Sequence, residues 1–540
     1  MAKYKKLRIG AEFIKQIVYR LKAAIILFAF IAWGASVSAP AQTAKLPSAE
    51  GIVGDYQKAA GGKKRLTAIK SAVYDWKITR RAANLPNDAE KARTSLQSPT
   101  FFRFDLIGDG SAATATNGNT VWRRDAAGKL QTLTDAESKA YRLQAILAAT
   151  RLADLKKQRI AARFAGTQIT GGETVNVVEF AARNGASVRY FFSRKTGLPI
   201  KIENSALRYS ACFSDYRIEN GILEPHRVTE PCSEPDKNPD YSIFELQKVS
   251  YNSSFNAAIF DPPPTLENFD LAALVEELRK NEIALQERVS EYSFVQTETE
   301  RVYDGKGAVK KEIRKTFEVF PTRDGKRVLK LTSENGVPLA GGKLIREEQR
   351  VVKELERSEA EYARKQEKSG AGQKAEPERR GNVNPSEGGL ERQAILTILR
   401  VSEVYSPRFE SFRDREAIVF NFRPRPGYKP SGFFDAVFSK LAGTVWIDAA
   451  EKQIVRAETR IVENVKLGGG LLATFRKDSA IVFERARFGE VWLPKSFQAN
   501  ASAKFLLVGG FDALSEIEYG EYNRYTTEVK DYKLNETGKP

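Results

Sequence analysis

Few side chains in this chain could carry chemistry, and their types and spacing limit what that chemistry would be. His226 is the single histidine among 540 residues. A Ser-His-Asp relay would have to use it. It lies in an alternating run beside Arg227, which suits a strand residue with a surface or half-buried structural role. Zinc needs several His or Cys ligands, so one histidine and two cysteines predict neither a metal centre nor another cofactor. The cysteines, Cys212 and Cys232, lie on either side of an Asn220-Gly221 pair. In an oxidising compartment that arrangement predicts a cross-strand disulfide. The GGKK run at 61–64 lacks the G-x-x-x-x-G-K-[ST] spacing of a phosphate loop and has no strand before it, so a helix end is expected there. No G-x-S-x-G elbow, H-E-x-x-H helix or dinucleotide fingerprint occurs. Paired carboxylates gathered from distant strands leave no local signature. A hydrolase of that kind therefore remains a third expectation, behind two non-catalytic ones.

The elements that would position any site begin with a leader. Lys3, Lys5, Lys6, Arg8, Lys15, Arg20 and Lys22 precede an apolar run from Ala23 to Val37, and Ala39-Pro40-Ala41 supplies small residues. This pattern predicts a cleavable signal peptide over 1–41, the run being shorter than the ~20 residues a spanning helix needs. The alternative is an uncleaved anchor in the inner membrane. Removing seven basic and one acidic residue with the leader lowers the net charge from +18 to +12, spread among many acids. Such a surface tolerates an anionic membrane, while export argues against nucleic acid.

Val188, Tyr190 and Phe192 alternate with polar or outward residues as in a strand, Leu198 to Ile202 starts a second, and Cys212 to Ile218 a third. Asn220-Gly221 and Asn184-Gly185 are hairpin signals. The same order returns later in the chain. Gly443–Asp448, Ile454–Val462, Ala480–Arg487 and Val491-Trp492-Leu493-Pro494 parallel the Val188–Pro225 segment, so two divergent copies of one β-unit are expected. Helices are expected after Ser48, from Thr134 to Leu155 with Thr134 and Glu137 as a capping box, and after Asp270. A chain this long predicts two domains, here 42–265 and 266–540. The second carries a charged insertion at about 342–392 whose Ser369–Gly389 part cannot bury a core. Three glycine-flanked apolar runs, 432–438, 468–472 and 505–511, fit strand ends and core; a cavity mouth or membrane-touching loop is the alternative.

Ile52–Ile78 (IVGDYQKAAGGKKRLTAIKSAVYDWKI), Asn117–Gly128 (NGNTVWRRDAAG), YFFSRKTGLPIKIE and FSDYRIENGILEP resemble the periplasmic outer-membrane lipoprotein-sorting proteins of the LolA/LolB-like superfamily. The resemblance spans most of 48–265 and, more faintly, 268–530. It implies a mainly β (α+β) chain of two antiparallel half-open β-barrels, each covered by helices and enclosing an apolar cavity for acyl chains. No cofactor is implied, and 134–155 would be a lid. Val188, Tyr190 and Phe192 would then face Leu147, Leu152 and Leu155 across the cavity. The expected function is a periplasmic lipid- or lipoprotein-binding protein in lipoprotein sorting or envelope lipid handling. Its partners would be acyl chains, with a membrane surface or envelope proteins beside them. The alternative is a non-catalytic envelope scaffold. One departure stands out: Glu224 separates Leu223 from Pro225, where the family and the second copy (Leu493-Pro494) have Leu-Pro directly.

Overall fold

Alternating apolar residues bounded by turn residues dictate strands that must cover one face, and in the computed structural model such strands build two large antiparallel sheets. The structure describes residues 47–81, 89–108, 112–232, 240–289, 291–304, 309–322, 326–370, 397–431, 433–467, 473–477, 479–505 and 509–524. The leader at 1–41, the expected Ser369–Gly389 segment beyond Gly370 and the 468–472 run lie outside these residues. The chain divides into two compact units, Met1–Thr265 and Leu266–Pro540.

The first unit opens with α1 (Ala49–Ala59) and α2 (Lys63–Ala68). Ser48 caps α1, its hydroxyl accepting from the Gly51 amide at 3.1 Å. Gly61-Gly62 ends it in positive φ. A Cβ on Gly61 would lie 2.4 Å from the Gly221 carbonyl, so the close approach of this helix end to a hairpin requires glycine there. Strands β1 (Ser71–Arg81), β2 (Ala89–Gln97), β3 (Phe101–Ile107), β4 (Ala113–Asn117), β5 (Val121–Arg124) and β6 (Leu130–Leu133) follow as a meander. Then come α3 (Asp135–Thr150), β7 (Ala161–Thr170), β8 (Glu173–Ala181), β9 (Ser187–Ser193), β10 (Pro199–Asn204), β11 (Tyr209–Glu219), β12 (Ile222–Glu230) and β13 (Tyr241–Tyr251). They form one antiparallel sheet in the order β6-β5-β4-β3-β2-β1-β13-β12-β11-β10-β9-β8-β7. Its edge strands β6 and β7 do not pair with each other, so the barrel stays open. Asn220 and Gly221 both adopt positive φ and join β11 to β12 in the expected hairpin. Cys212 and Cys232 form the disulfide, closing that hairpin at its open end.

The second unit repeats the strand order. It comprises α4 (Leu271–Val289), β14 (Tyr292–Tyr303), β15 (Val309–Pro321), β16 (Arg327–Glu334), β17 (Val337–Pro338) and α5 (Gly341–Gly370). After these come β18 (Ser402–Phe412), β19 (Arg415–Pro424), α6 (Phe433–Phe438), β20 (Leu441–Asp448) and β21 (Ile454–Ile461). The hairpin β22 (Val465–Leu467) and β23 (Ala473–Phe475), then β24 (Ala480–Phe488), β25 (Val491–Phe505) and β26 (Gly509–Arg524), complete it. The path β17-β16-β15-β14-β26-β25-β24-β21-β20-β19-β18 matches β4-β3-β2-β1-β13-β12-β11-β10-β9-β8-β7 strand for strand. The segments matched by sequence, β9 to β12 and β20, β21, β24 and β25, occupy equivalent places. The β22–β23 hairpin is an addition that pairs with β25.

Two local expectations change. Thr134 stands at the N-cap of α3, but its hydroxyl meets Asp135 and makes no cap bond. Glu137 turns instead to Arg123 on β5, 3.6 Å away, so no capping box forms. The helix also stops at Thr150 rather than Leu155, because Arg151, Leu152 and Asp154 take positive φ. The run at 433–438 is a short helix rather than a strand end. Its Asp435 accepts from Ser431, Tyr428 and Arg400.

The second unit's interior holds many buried ions. Glu484 on β24 is 3% exposed and meets Arg456, Arg413 and Lys495. Arg408 pairs with Glu410 at 2.6 Å, and Arg485 ties β24 to Glu282 of α4. Burial alone would push the Glu484 carboxyl up, and the Lys495 bond with the two arginines outweighs it and holds the group below its ordinary range. Breaking such a pair is costly because it strands the remaining charges in a poorly solvating medium.

Candidate functional site

In the first unit, α3 packs on β2, β3, β5 and β9. Sixteen residues make a helix of about 24 Å, enough to cross several strands. The helix and the concave sheet do not meet fully. Between them lies a cavity of about 530 Å³, the size of a small-molecule or acyl-chain site.

Its walls are built strand by strand. Tyr74 and Trp76 alternate with outward residues on β1 and stack at 5.9 Å. Trp76 meets the edge of Phe244 on β13, which in turn meets Phe104 on β3. From α3, Tyr141 stands edge-on to Phe102 at 5.6 Å. Trp76 satisfies its indole N–H on Thr94, so the wall costs no unpaired donor. Burial pushes the phenols of Tyr56, Tyr74, Tyr141 and Tyr190 up, and all four remain neutral near pH 7.

The expected site residues divide. Tyr190 of β9, Leu147 of α3 and Leu152 just after it line the cavity. Val188 and Phe192 share the strand face with Tyr190 but are buried in the core cluster rather than in the cavity lining. Helix α1 covers that stretch, with Tyr56 at 5.9 Å from the Phe192 ring. Leu155 follows the end of α3 and packs against the same core. His226 lies on β12 with its ring 3.0 Å from Glu219. Among the described residues no cluster of three or more His, Cys, Asp or Glu is placed to hold a metal. Likewise, no helix among them is long and apolar enough to cross a membrane.

Sequence reasoning missed the polar groups in the cavity. Arg151, 7% exposed, donates to the Tyr74 hydroxyl at 2.8 Å and lies 3.8 Å from Glu224. The Tyr74 and Tyr251 hydroxyls both donate to the same Glu224 oxygen, at 2.8 and 2.7 Å. Arg151 also sits over the Tyr251 ring, 5.4 Å from its centre. Two signals pointed here. Arg151 stands four residues after Leu147 on the apolar stripe, and Glu224 is the residue that interrupts Leu-Pro. A second acid, Glu230 at the end of β12, also lines the cavity and accepts from the Tyr209 hydroxyl. Burial pushes its carboxyl up to about 7, with the Tyr209 bond pulling weakly the other way.

No family model matches the sequence, and no curated protein matches it. Among solved structures, the chain is similar to a LolA superfamily protein from Nitrosomonas europaea. The identity is 12% and the TM-score 0.29, over 40% of this chain and 97% of that one. It is also similar to a putative outer membrane lipoprotein-sorting protein domain from Vibrio parahaemolyticus, at 10% identity and TM-score 0.28, over 40% of this chain and 96% of that one. A Pseudomonas aeruginosa MucA/MucB complex is matched over 88% of this chain and 99% of that one, at 8% identity and TM-score 0.17. Likeness at these scores carries no functional weight, and the cavity must carry the functional conclusion.

Proposed function

We propose that the first unit binds the acyl chain of a lipid or lipoprotein beneath α3, and that the protein works as a non-catalytic carrier or receptor in the periplasm. The cavity is the observation that carries this: about 530 Å³ walled mainly by aromatic and aliphatic side chains between a helix and an open sheet. Several of its polar groups are engaged with one another, as in the Arg151–Tyr74–Glu224 set. The basic, apolar N-terminal run and the disulfide support an exported chain. Burying ten methylenes would contribute roughly 0.8 kcal/mol each before the cost of association is subtracted. Organic extraction of purified protein followed by mass spectrometry is expected to yield lipid near stoichiometry. Clean extracts, with no binding of added acylated peptide, would overturn the carrier in favour of a scaffold that binds protein partners through its sheet edges.

A further inference from the structure

The cavity's three acids are not in equivalent settings. Glu224 is met by Arg151, and Glu137 by Arg123. Among the described residues no cation meets Glu230, and its one side-chain hydrogen-bond partner is the Tyr209 hydroxyl. The groups beside it on neighbouring elements are neutral, while Arg123 of β5, which lines the cavity near Tyr141, is taken up by Glu137. Tyr209 belongs to β11, Tyr141 to α3, and the register partner on β13 is Ser242. Tyr190 completes the aromatic surroundings of Tyr209. Glu230 is partly buried and lines the cavity.

A carboxyl removed from water without a counter-charge has two ways to lower its energy. It takes a proton, or it meets a cation that arrives with a ligand. Aromatic faces around it favour the second, since they attract an ammonium group that still carries its apolar chain. We propose that Glu230, with Tyr209 and Tyr141 beside it, is the subsite for an ammonium-bearing head group, so that the cavity takes amine-terminated amphiphiles in preference to free fatty acids. This rests on the cavity being a ligand site. In the empty cavity the carboxyl stands at about 7, so an arriving cation displaces about half a proton per ligand at pH 7.

The test is calorimetric titration of delipidated full-length mature protein with dodecylamine, dodecanol and lauric acid, at pH 7 in two buffers of different ionisation enthalpy. Dodecylamine is expected to bind at least about tenfold tighter than dodecanol, as a charge-assisted bond would give, and to release about half a proton per ligand. In Glu230→Gln, which keeps the acceptor for Tyr209 and the side-chain volume, the amine-to-alcohol ratio should collapse to about one and the proton release vanish. A lyso-lipid with an ethanolamine head should outcompete one with a glycerol head if a lipid supplies the ammonium. Equal affinity for amine and alcohol, tighter binding of lauric acid, or an unchanged ratio in Glu230→Gln would each overturn the proposal. If none of the three chains binds, the cavity reading falls first and the subsite with it.

Discussion

Ala148 offers a substitution whose sign depends on whether the cavity is real. It lies on α3, is half-buried and lines the cavity, while Ala149 beside it is 2% exposed and does not. Replacing Ala148 by Phe places a ring in space that the sheet and helix leave open. Burying that ring contributes about 1.5–3 kcal/mol, and exchanging Ala for Phe in a helix costs about 0.5 kcal/mol, so the ligand-free unit should gain roughly 1–2.5 kcal/mol. Ala149→Phe drives the same ring into packed atoms and should cost about 1–3 kcal/mol. Hydrogen exchange of full-length, delipidated protein, read on peptides from 135–150, reports both. Ala148→Phe should slow exchange roughly five- to sixty-fold and Ala149→Phe should speed it. Protein purified without delipidation should carry less lipid in Ala148→Phe than in wild type. Destabilisation by Ala148→Phe with lipid retained would show that this space is not where an apolar chain lies.

Other expectations follow from single groups. The raised Glu230 carboxyl means that first-unit stability falls as pH rises from the ordinary 4.5 to about 7 and is flat above. Glu230→Gln should therefore protect 209–230 in ligand-free protein at pH 8 by up to about 3 kcal/mol and barely at pH 4, whereas equal protection at both would refute the assignment. Glu484 is the opposite case: its lowered carboxyl contributes stability above the ordinary carboxylate range that is lost as pH falls through it. Glu484→Gln should cost the second unit about 3–5 kcal/mol at neutral pH, chiefly by removing the buried carboxylate partner of Arg456, and exchange in β24 would show it. Replacing Cys212 and Cys232 by serine should cost about 3 kcal/mol by the loop closed, read as faster exchange in β11 and β12. Mature protein recovered from the periplasm should begin at or near Gln42, and a chain that keeps residues 1–41 in the membrane pellet would contradict that.

Much of the fold was legible because strand alternation and φ > 0 turn pairs are local signals. The Val188–Phe192 strand and Asn220-Gly221 needed nothing from elsewhere in the chain. Strand β2 was not legible: from Glu90 to Gln97 only Ala92 and Leu96 are buried apolar residues, and pairing with β1 and β3 supplies what its own sequence lacks. The cavity was legible by half. Periodicity put Leu147, Leu152 and Tyr190 on apolar faces and the resemblance set those faces across a cavity, but periodicity does not say which residues of an apolar face are covered by a third element. Helix α1 takes Phe192, and the left-handed residues after Thr150 take Leu155 out of register with the helix. Arg151, Glu224 and Glu230 come from two elements far apart in sequence, and no spacing rule links them.

The connection through α3 has a mechanical consequence. In sequence, α3 lies between β6 and β7, which are the two free edges of the first sheet. The helix is thus a strap fastened to both rims of an open trough, not a flap hinged at one. Any widening of the trough must be taken up by the short runs at 134 and 151–160, while no ladder bond between neighbouring strands need break. In the second unit α5 likewise lies between the edge strands β17 and β18, with a much longer stretch of chain before β18. Residues added or removed between the rims would change the aperture and leave the sheet's registers intact, so rim-to-rim length is where the opening of each copy can vary independently of its strand pairing.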